Sequence, residues 1–204
     1  ALHTLMSPGS EIVAARQLYG GSVNQFSQSF AKFDWHVKWA DTSDPASFKA
    51  QITDKTKALY AESIANPGGL ITDIEALAKI AHDAGLPLVI DNTLASPYLI
   101  RPIEWGADIV VHSATKCLGG HGNSMGGVIV DGGKFDWGKS GKFPTLSEPN
   151  ASYHGMRMWE TFGDMAFAVA TRVLALRDLG PALSPMNAFL IITGTETLPL
   201  RIQK

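Results

Sequence analysis

The chain has 204 residues, of which 45% are hydrophobic and 18% are charged, and its formal net charge is −2. These values predict a globular domain with a sizeable core, and the near-neutral charge gives no basic surface that would indicate a nucleic-acid partner. No apolar run approaches the roughly 20 residues of a membrane span, no signal peptide is visible, and the single Cys117 favours a reducing compartment because it can form no internal disulfide.

The first half of the chain alternates between predicted strands and predicted helices. Two glycines follow Tyr19 and permit a tight turn, which leaves this tyrosine at the mouth of a helix running to about Phe33. Asp44-Pro45 opens a second, short helix, because proline is favoured in a first turn. Strands are predicted at Glu11–Ala14, His36–Trp39 and Lys57–Ala61.

The clearest predicted helix runs from Thr72 to Gly85. Thr72-Asp73-Ile74-Glu75 matches the Thr-x-x-Glu capping box at its start, and Gly85 supplies a stop at its end. Apolar residues at helical spacing form one face. Strand, helix and strand in this order predict a βαβ unit, so the fold class is α/β with a mostly parallel sheet.

Two short apolar runs, Leu88–Ile90 and Ile109–Val111, are rich in β-branched residues and predict buried strands. Ligands bind outside the carboxyl ends of the strands in an open parallel sheet, so the residues after the two runs should border one crevice. They include a carboxylate and a lysine, the pair with which a pyridoxal phosphate (PLP) site holds the pyridine nitrogen protonated and binds the aldehyde covalently. The polar residues are Asp91, Asn92 and Thr93 after the first run, and His112, Ser113, Thr115 and Lys116 after the second.

Structural roles compete with this interpretation. A lysine is usually a solvated surface group, and an aspartate after a strand is often a cap or turn residue. Ser113 and Thr115 are either hydroxyl donors for a phosphate or caps of the turn around Lys116. The glycines after Lys116 do not form a nucleotide-binding motif. The six histidines show no ligand spacing, so no metal site is predicted.

The remaining part of the chain predicts one more strand, at Val128–Val130. Residues 135–153 are rich in Gly, Pro, Ser and Lys, which indicates a surface loop, placed over the site entrance. Met156 to about Leu179 has helical periodicity. Ala188–Lys204 predicts the start of a long connecting helix, although Gly194 and Pro199 disfavour it.

These motifs resemble the Cys/Met metabolism family of PLP enzymes. The resemblance rests on Ser-Ala-Thr-Lys before a glycine-rich turn, with Asp-Asn-Thr upstream, and it runs from Ser7 to Arg201. It implies a large domain of the PLP-dependent aminotransferase-like fold (fold type I), with helices on both faces of the sheet. It implies catalytic roles for Lys116, which carries PLP, for Asp91, which pairs with the pyridine nitrogen, and for Tyr19, which stacks on the ring. It also implies a cofactor pocket lined by Glu62, Asn66, Thr93, Ser113 and Thr115, with Asn66 near the phenolic oxygen of PLP.

Compared with that family, the chain is expected to be a fragment of about half an enzyme. Residues 1–185 would be the PLP-binding large domain, incomplete at its N-terminus. Residues 186–204 would be the start of the connecting helix to a missing C-terminal domain. The resemblance also implies a cytoplasmic homotetramer, built from dimers that share active sites.

Within the family, the stretch around Lys116 and the pair Ile64-Ala65 are similar to the sulfhydrylase branch, whereas many lyases and cystathionine synthases carry Pro-Thr at the pair. The reaction that this implies is a PLP-dependent γ-replacement on O-acetyl-L-homoserine by sulfide or a small thiol, which yields homocysteine or methionine and acetate. Cystathionine γ-synthase, O-succinylhomoserine sulfhydrylase and methionine γ-lyase are the alternatives within the family. A nicotinamide-dependent dehydrogenase and a non-catalytic module are the alternatives outside it.

Overall fold

The computed structural model describes residues 1–204, and six strands form its single sheet. The strands are β1 (Glu11–Ala15), β2 (His36–Ala40), β3 (Thr56–Glu62), β4 (Leu88–Asp91), β5 (Ile109–Ser113) and β6 (Gly127–Asp131). Their order across the sheet is β2-β1-β3-β4-β5-β6. All six strands predicted from the sequence are present.

Strands β1 to β5 pair in parallel, and β6 runs antiparallel to β5. In the register of the sheet, Glu62 lies beside Asp91, and Asp91 lies beside Val111. The carboxyl ends of β3, β4 and β5 therefore lie side by side at the same end of the sheet. The prediction of a mostly parallel α/β sheet is confirmed.

Helices connect the strands. The helix α2 (Gly20–Asn24) continues through a π turn at Gln25–Ser29 and a 3-10 turn at Phe30–Phe33, which confirms the helix predicted to Phe33. The other helices are α1 (Leu2–Leu5), α3 (Pro45–Gln51), α4 (Ile74–Asp83), α5 (Ser96–Leu99), α6 (Pro144–Ser147), α7 (Met158–Phe162), α8 (Ala166–Ala170), α9 (Arg177–Leu179), α10 (Pro185–Thr195) and α11 (Leu198–Ile202), with a π turn at Thr171–Leu176 and further 3-10 turns at Pro102–Trp105, Ala151–Tyr153 and Gly163–Met165.

No helix combines the length and the apolar character that crossing a membrane would require.

The strand order reverses direction between β1 and β3. The connection from β1 to β2 moves toward one edge of the sheet, whereas the connections from β3 to β4 and from β4 to β5 move toward the other. Because such crossovers are right-handed, the reversal places α2 and α4 on opposite faces. In such a sheet the crevice for a ligand opens at the reversal, beyond the carboxyl ends of the strands.

The core is a cluster of 34 buried residues around the sheet. Every residue of β1 is buried, and Leu59, Leu88 and Ile90 are completely inaccessible to solvent. Continuous burial of this kind is what a parallel strand covered on both faces requires. Each such aliphatic side chain contributes about 1.5–3 kcal/mol to folding.

The start of α4 differs from the predicted capping box. Asp73 is the N-cap, and its carboxylate accepts the N–H of Ala76 at 3.0 Å. The hydroxyl of Thr72 instead donates to the carbonyl of Glu62 at 2.6 Å. The predicted box was wrong because Thr72 fastens the chain to the end of β3, while the adjacent aspartate is an equally good cap.

The segment 135–153 is not the surface loop over the site that its composition predicts. Trp137, Phe143 and Leu146 are almost completely buried. The segment packs at the amino end of the sheet, where Lys57 near the start of β3 donates to the carbonyl of Lys142 at 2.6 Å. These three large apolar side chains anchor the segment there. The prediction was wrong because the average composition of the segment is dominated by its many small and polar residues.

The two C-terminal helical regions are more broken than predicted. The first begins at Met158 and is interrupted at Gly163, whose φ is +50°. The second forms two helices, α10 and α11, instead of one. Gly194, which disfavours a helix by propensity, lies so close to the turn after Lys116 that an added Cβ would be 1.9 Å from the carbonyl oxygen of Gly119. Glycine is therefore needed at position 194 for packing.

Candidate active site

A cavity of about 450 Å³ opens at the carboxyl ends of the parallel strands. Its volume is typical of a small-molecule site. All eight site residues predicted from the sequence line it. The lining consists of Tyr19, Glu62, Ile64, Asn66, Asp91, Thr93, Leu94, Ser113, Thr115, Lys116 and Met125.

Asp91 is held by the residue two positions after it. Thr93 donates its backbone N–H, at 2.9 Å, and its hydroxyl to Oδ1 of Asp91. The same hydroxyl accepts the N–H of Ser113 at 2.8 Å, which ties the end of β4 to the end of β5. The carboxylate therefore has a fixed orientation, as a group must have if it is to meet a ligand atom.

Tyr60 is a neighbour of the site that the sequence reasoning missed. Its buried hydroxyl lies 3.5 Å from Oδ2 of Asp91. Burial, followed by the charges of Asp91 and Glu62, raises the pKa of Tyr60 well above its usual value, so the hydroxyl stays protonated beside the carboxylate. Residues two apart on a strand share a face, so the spacing of Tyr60 and Glu62 on β3 is the signal that could have found it.

Glu62 joins two loops that border the cavity. Its Oε1 accepts the N–H of Tyr19 at 2.7 Å, and its Oε2 accepts the N–H of Asn66 at 2.9 Å. Burial raises the pKa of Glu62 above its usual value, while the two backbone N–H groups oppose this by stabilising the charged form. Because both oxygens are occupied, Glu62 fixes the position of Tyr19 and Asn66.

Lys116 lies in a helical turn directly after β5. Its N–H donates to the carbonyl of Ser113 at 3.1 Å, and its carbonyl accepts the N–H of Gly120 at 2.8 Å. The hydroxyl of Thr115 accepts the N–H of Gly126 at 3.0 Å and so closes the glycine-rich loop. Within this chain, the Thr115 hydroxyl thus caps the turn around Lys116, which is the structural alternative to binding a phosphate.

Asn92 and His112 do not line the cavity. Asn92 is completely buried, accepts the hydroxyl of Ser63 at 2.7 Å and donates to the carbonyl of Ile100 at 2.9 Å. His112 is buried too, and burial lowers its pKa. Both residues therefore belong to the packing beneath the site.

The mouth of the cavity is open and partly apolar. Tyr19 is 52% exposed and Met125 is 78% exposed. Ile64 and Leu94 complete the apolar part of the lining. Exposed apolar side chains at a cavity mouth are typical of a surface that meets a ligand or another protein.

A larger cavity of about 800 Å³ lies at the amino end of the sheet. There His82 contacts the buried carboxylate of Asp108 at 2.9 Å, and this carboxylate also accepts the N–H of Leu88 at 2.8 Å. Burial raises the pKa of Asp108. Asp108 thus fixes the start of β4, and none of the predicted site residues lies near this cavity. No group of three or more His, Cys, Asp or Glu side chains is arranged to hold a metal ion.

The side chains around the smaller cavity fit PLP. They include an amine for the aldehyde, an oriented carboxylate for the pyridine nitrogen and an exposed aromatic ring that can lie against the cofactor ring. The hydroxyl of Ser113 and the turn that contains Lys116 supply donors for a phosphate. The arrangement can hold an aromatic aldehyde between a lysine and a carboxylate.

Comparison with known proteins agrees with this chemistry. The sequence model of the family described as Cys/Met metabolism PLP-dependent enzyme matches residues 1–204. The O-acetyl-L-homoserine sulfhydrylase of Leptospira meyeri is 51% identical over 212 residues, which are 100% of this chain and 48% of that protein. The homocysteine synthase of Schizosaccharomyces pombe is 49% identical over 206 residues, again 100% of this chain and 48% of the relative. The chain thus spans about half the length of the curated relatives it matches.

Solved structures of related enzymes share the fold. A putative O-acetylhomoserine (thiol)-lyase from Campylobacter jejuni superposes with a TM-score of 0.93 at 31% identity, over 98% of this chain and 50% of that chain, and it contains N′-pyridoxyl-lysine-5′-monophosphate. An O-acetylhomoserine sulfhydrylase from Wolinella succinogenes superposes with a TM-score of 0.83 at 36% identity, over 97% of this chain and 54% of the other. The fold is that of the PLP enzymes of fold type I.

Proposed function

The chain belongs to the Cys/Met metabolism family of PLP-dependent enzymes, and on that premise we propose that its protein replaces the acetate of O-acetyl-L-homoserine by sulfide or a small thiol. The products are homocysteine or methionine and acetate. The observation that carries the proposal is the meeting of Lys116, Asp91 and Tyr19 at one cavity. The names of the relatives from Leptospira meyeri and Schizosaccharomyces pombe support the choice of substrate.

In this proposal each residue of the cavity has one task. Lys116 binds the aldehyde of PLP, Asp91 holds a proton at the pyridine nitrogen, and the ring of Tyr19 packs on the cofactor. Asn66 lies toward the phenolic oxygen, Ser113 offers its hydroxyl to the phosphate, and Thr115 lies toward the phosphate in the turn that its own hydroxyl closes. Glu62 and Thr93 act mainly by holding these residues in place, because their polar atoms are already bonded within the chain.

The reaction needs proton transfers at defined atoms. When bound, PLP supplies an electron sink for the carbanion that forms next to the amino group of the substrate. The Lys116 amine takes the proton from Cα, a second proton leaves Cβ so that its electrons can expel the group on Cγ, and one proton returns to each carbon after the new bond has formed. Acetate leaves from Cγ with its bonding electrons, and the sulfur of sulfide or thiol forms the new bond at Cγ. The fixed carboxylate of Asp91 maintains the charge on which the electron sink depends.

Steady-state assay of the full-length protein tests the proposal. We expect turnover of O-acetylhomoserine with sulfide to exceed turnover of the succinyl ester, and we expect borohydride reduction to attach PLP to Lys116. Preferred use of cysteine as the sulfur donor with the succinyl ester would instead indicate cystathionine γ-synthase. Elimination of methionine without an acyl ester would indicate methionine γ-lyase. No reducible cofactor would exclude the whole class of reaction.

We further propose a homotetramer built from dimers that share active sites. The open, apolar mouth at Tyr19 and Met125 supports an additional covering element from a neighbouring subunit. Light scattering of the full-length protein tests this proposal, and a fully active monomer would contradict it.

Since the relatives are metabolic enzymes, we propose a cytoplasmic location. Residues 1–185 would form the PLP-binding domain, and α10 with α11 would start the connection to the C-terminal domain.

A further inference from the structure

Arg201 on α11 grips the turn that contains Lys116. Its guanidinium donates to the carbonyl of Cys117 at 2.8 Å and to the carbonyl of Leu118 at 3.3 Å. It also donates to the carbonyl of Gly194 at 2.9 Å and to the hydroxyl of Thr197 at 3.0 Å. From this geometry we infer that Arg201 is a positioning residue for Lys116. The inference rests on the proposed function of Lys116.

The carbonyls that Arg201 reaches are the ones that need a partner. The turn after β5 is helical, because Gly119 donates to the carbonyl of Ala114 at 2.9 Å and Gly120 donates to the carbonyl of Lys116 at 2.8 Å. The next carbonyls, of Cys117 and Leu118, have no following turn to bond them. A cation at the carboxyl end of a helical turn is also favoured by the direction of the peptide dipoles.

Two glycines at this contact have no free space for a side chain, Gly194 against the backbone of the turn and Gly120 against the guanidinium of Arg201. A Cβ at Gly194 would be 1.9 Å from the carbonyl oxygen of Gly119. A Cβ at Gly120 would be 2.4 Å from the guanidinium carbon of Arg201, and the φ of Gly120 is +71°. The close approach of Gly194 to Gly119 packs the end of α10 on the turn, and this packing is an observation independent of the hydrogen bonds of Arg201.

The residue directly after α11 reaches the helix α5, which follows β4. Gln203 donates to the hydroxyl of Tyr98 at 2.6 Å. Tyr98 belongs to α5, which begins shortly after Asp91 and Thr93. One helical segment thus contacts both loops that border the site, with Arg201 on the lysine side and Gln203 on the carboxylate side. Its effect on chemistry passes through the placement of Lys116, since Arg201 itself does not line the cavity.

The guanidinium fork, and not charge alone, is what the geometry uses. Two of its nitrogens reach three carbonyls, whereas a lysine would have to serve them from a single nitrogen at the end of its side chain. Arg201→Met keeps an unbranched apolar stem and removes every donor. Arg201→Lys keeps the charge. Arg157→Met is the matched control, because Arg157 is exposed, pairs with Glu160 at 2.8 Å and lies remote from the site.

The experiment uses the full-length enzyme and two readouts. Hydrogen exchange of the backbone amides in residues 114–120 is measured by mass spectrometry with and without PLP, and kcat and KM are measured with O-acetylhomoserine and sulfide. For Arg201→Met we expect exchange to accelerate by about tenfold or more. We expect kcat to fall by about 10- to 100-fold, with KM changed by less than about threefold, because the lysine is misplaced while binding is retained. Arg201→Lys should lie between the wild type and Arg201→Met, and Arg157→Met should match the wild type.

The outcomes separate this inference from the proposed function. Wild-type exchange and wild-type kcat in Arg201→Met would overturn the inference. Faster exchange with unchanged kcat would overturn it as well, since Arg201 would then be only structural. If the wild-type enzyme does not use O-acetylhomoserine, the fraction of PLP that borohydride attaches to Lys116 replaces kcat, and an undiminished fraction in Arg201→Met overturns the inference. Should Arg201→Met fail to fold, Arg201→Lys alone carries the test, and wild-type exchange with wild-type kcat in Arg201→Lys overturns the inference.

Discussion

The hydroxyl of Thr93 donates to Oδ1 of Asp91 while it accepts the N–H of Ser113. A single oxygen atom therefore fixes the carboxylate and sets its distance from the strand that leads to Lys116. Serine could make the same two bonds, but valine could make neither.

This relationship predicts different results for two substitutions, one that keeps the shape of threonine without its hydroxyl and one that keeps the hydroxyl. Thr93→Val should lower PLP affinity by about tenfold or more, since a hydrogen bond to a charged group contributes about 1.5–3 kcal/mol. Thr93→Ser should stay within about threefold of the wild type. PLP titration followed by absorbance gives the affinity. Thr161→Val is the control, because the Thr161 hydroxyl is exposed and bonds within its own helix. Equal affinity of Thr93→Val and Thr93→Ser would contradict the positioning role.

Lys116→Ala should abolish borohydride-dependent attachment of PLP and nearly all turnover, because no other amine lines the cavity. Peptide mass spectrometry after reduction locates the cofactor. Lys139→Ala is the matched control, since Lys139 borders the cavity at the opposite end of the sheet. Wild-type turnover in Lys116→Ala would refute the assignment.

Asp91→Asn tests whether charge matters at this position. The amide keeps the size of the side chain and can still bond to Thr93, so a turn residue would tolerate it. A neutral amide cannot hold the pyridine nitrogen protonated, and we expect kcat to fall by about a hundredfold or more. Circular dichroism checks the fold. A folded variant within about threefold of the wild-type kcat would show that Asp91 is a turn residue only.

The raised pKa of Glu62 predicts that PLP affinity depends on pH. Since burial raises its pKa above the usual value, Glu62 takes up a proton at a higher pH than an ordinary glutamate as the pH falls. The neutral carboxyl is the weaker acceptor, so Tyr19 and Asn66 loosen and PLP affinity falls on the acid side. Glu62→Gln should have lower affinity throughout and a flatter profile on the acid side, because the amide takes up no proton. Parallel profiles of the variant and the wild type would exclude this role.

The same pKa shift sets the sign of the effect on stability. A carboxyl whose pKa is raised in the folded state binds protons more tightly there than in the unfolded chain. As the pH rises from the usual pKa of 4.5 to the raised pKa, the unfolded chain releases this proton before the folded chain does. The free energy of unfolding therefore falls over this pH range. Urea unfolding of Glu62→Gln and the wild type should show the difference between them changing in that window and constant above it.

Gly194→Ala should lower the free energy of unfolding by about 1–3 kcal/mol, since its Cβ has no room against Gly119. Gly20→Ala is the control, because a Cβ there meets nothing within 4 Å and alanine favours a helix. Thermal unfolding of both variants provides the comparison. Equal melting temperatures would contradict the close packing of α10 on the turn.

The strands and the polar ends of β4 and β5 could be predicted, because short apolar runs and the residues directly after them are local features of a sequence. The cavity followed from the rule for open parallel sheets. Glu62 between Tyr19 and Asn66 could not be predicted as a positioning residue, since its bond to Tyr19 joins positions 43 residues apart. Arg201 was missed for the same reason. The burial of Trp137 and Phe143 was missed because composition does not reveal which few side chains in a polar segment find a pocket.

The contact between Arg201 and the turn after β5 has a consequence for the order in which the protein is made. Cys117 and Arg201 are 84 residues apart, and a ribosome adds about 5–20 residues per second, so roughly 4 to 17 seconds pass between their synthesis. During that interval the nascent chain already contains Asp91 and Lys116, but it lacks the guanidinium of Arg201 that binds the turn after β5. The placement of Lys116 for the cofactor is therefore expected to become complete only after α11 has left the exit tunnel.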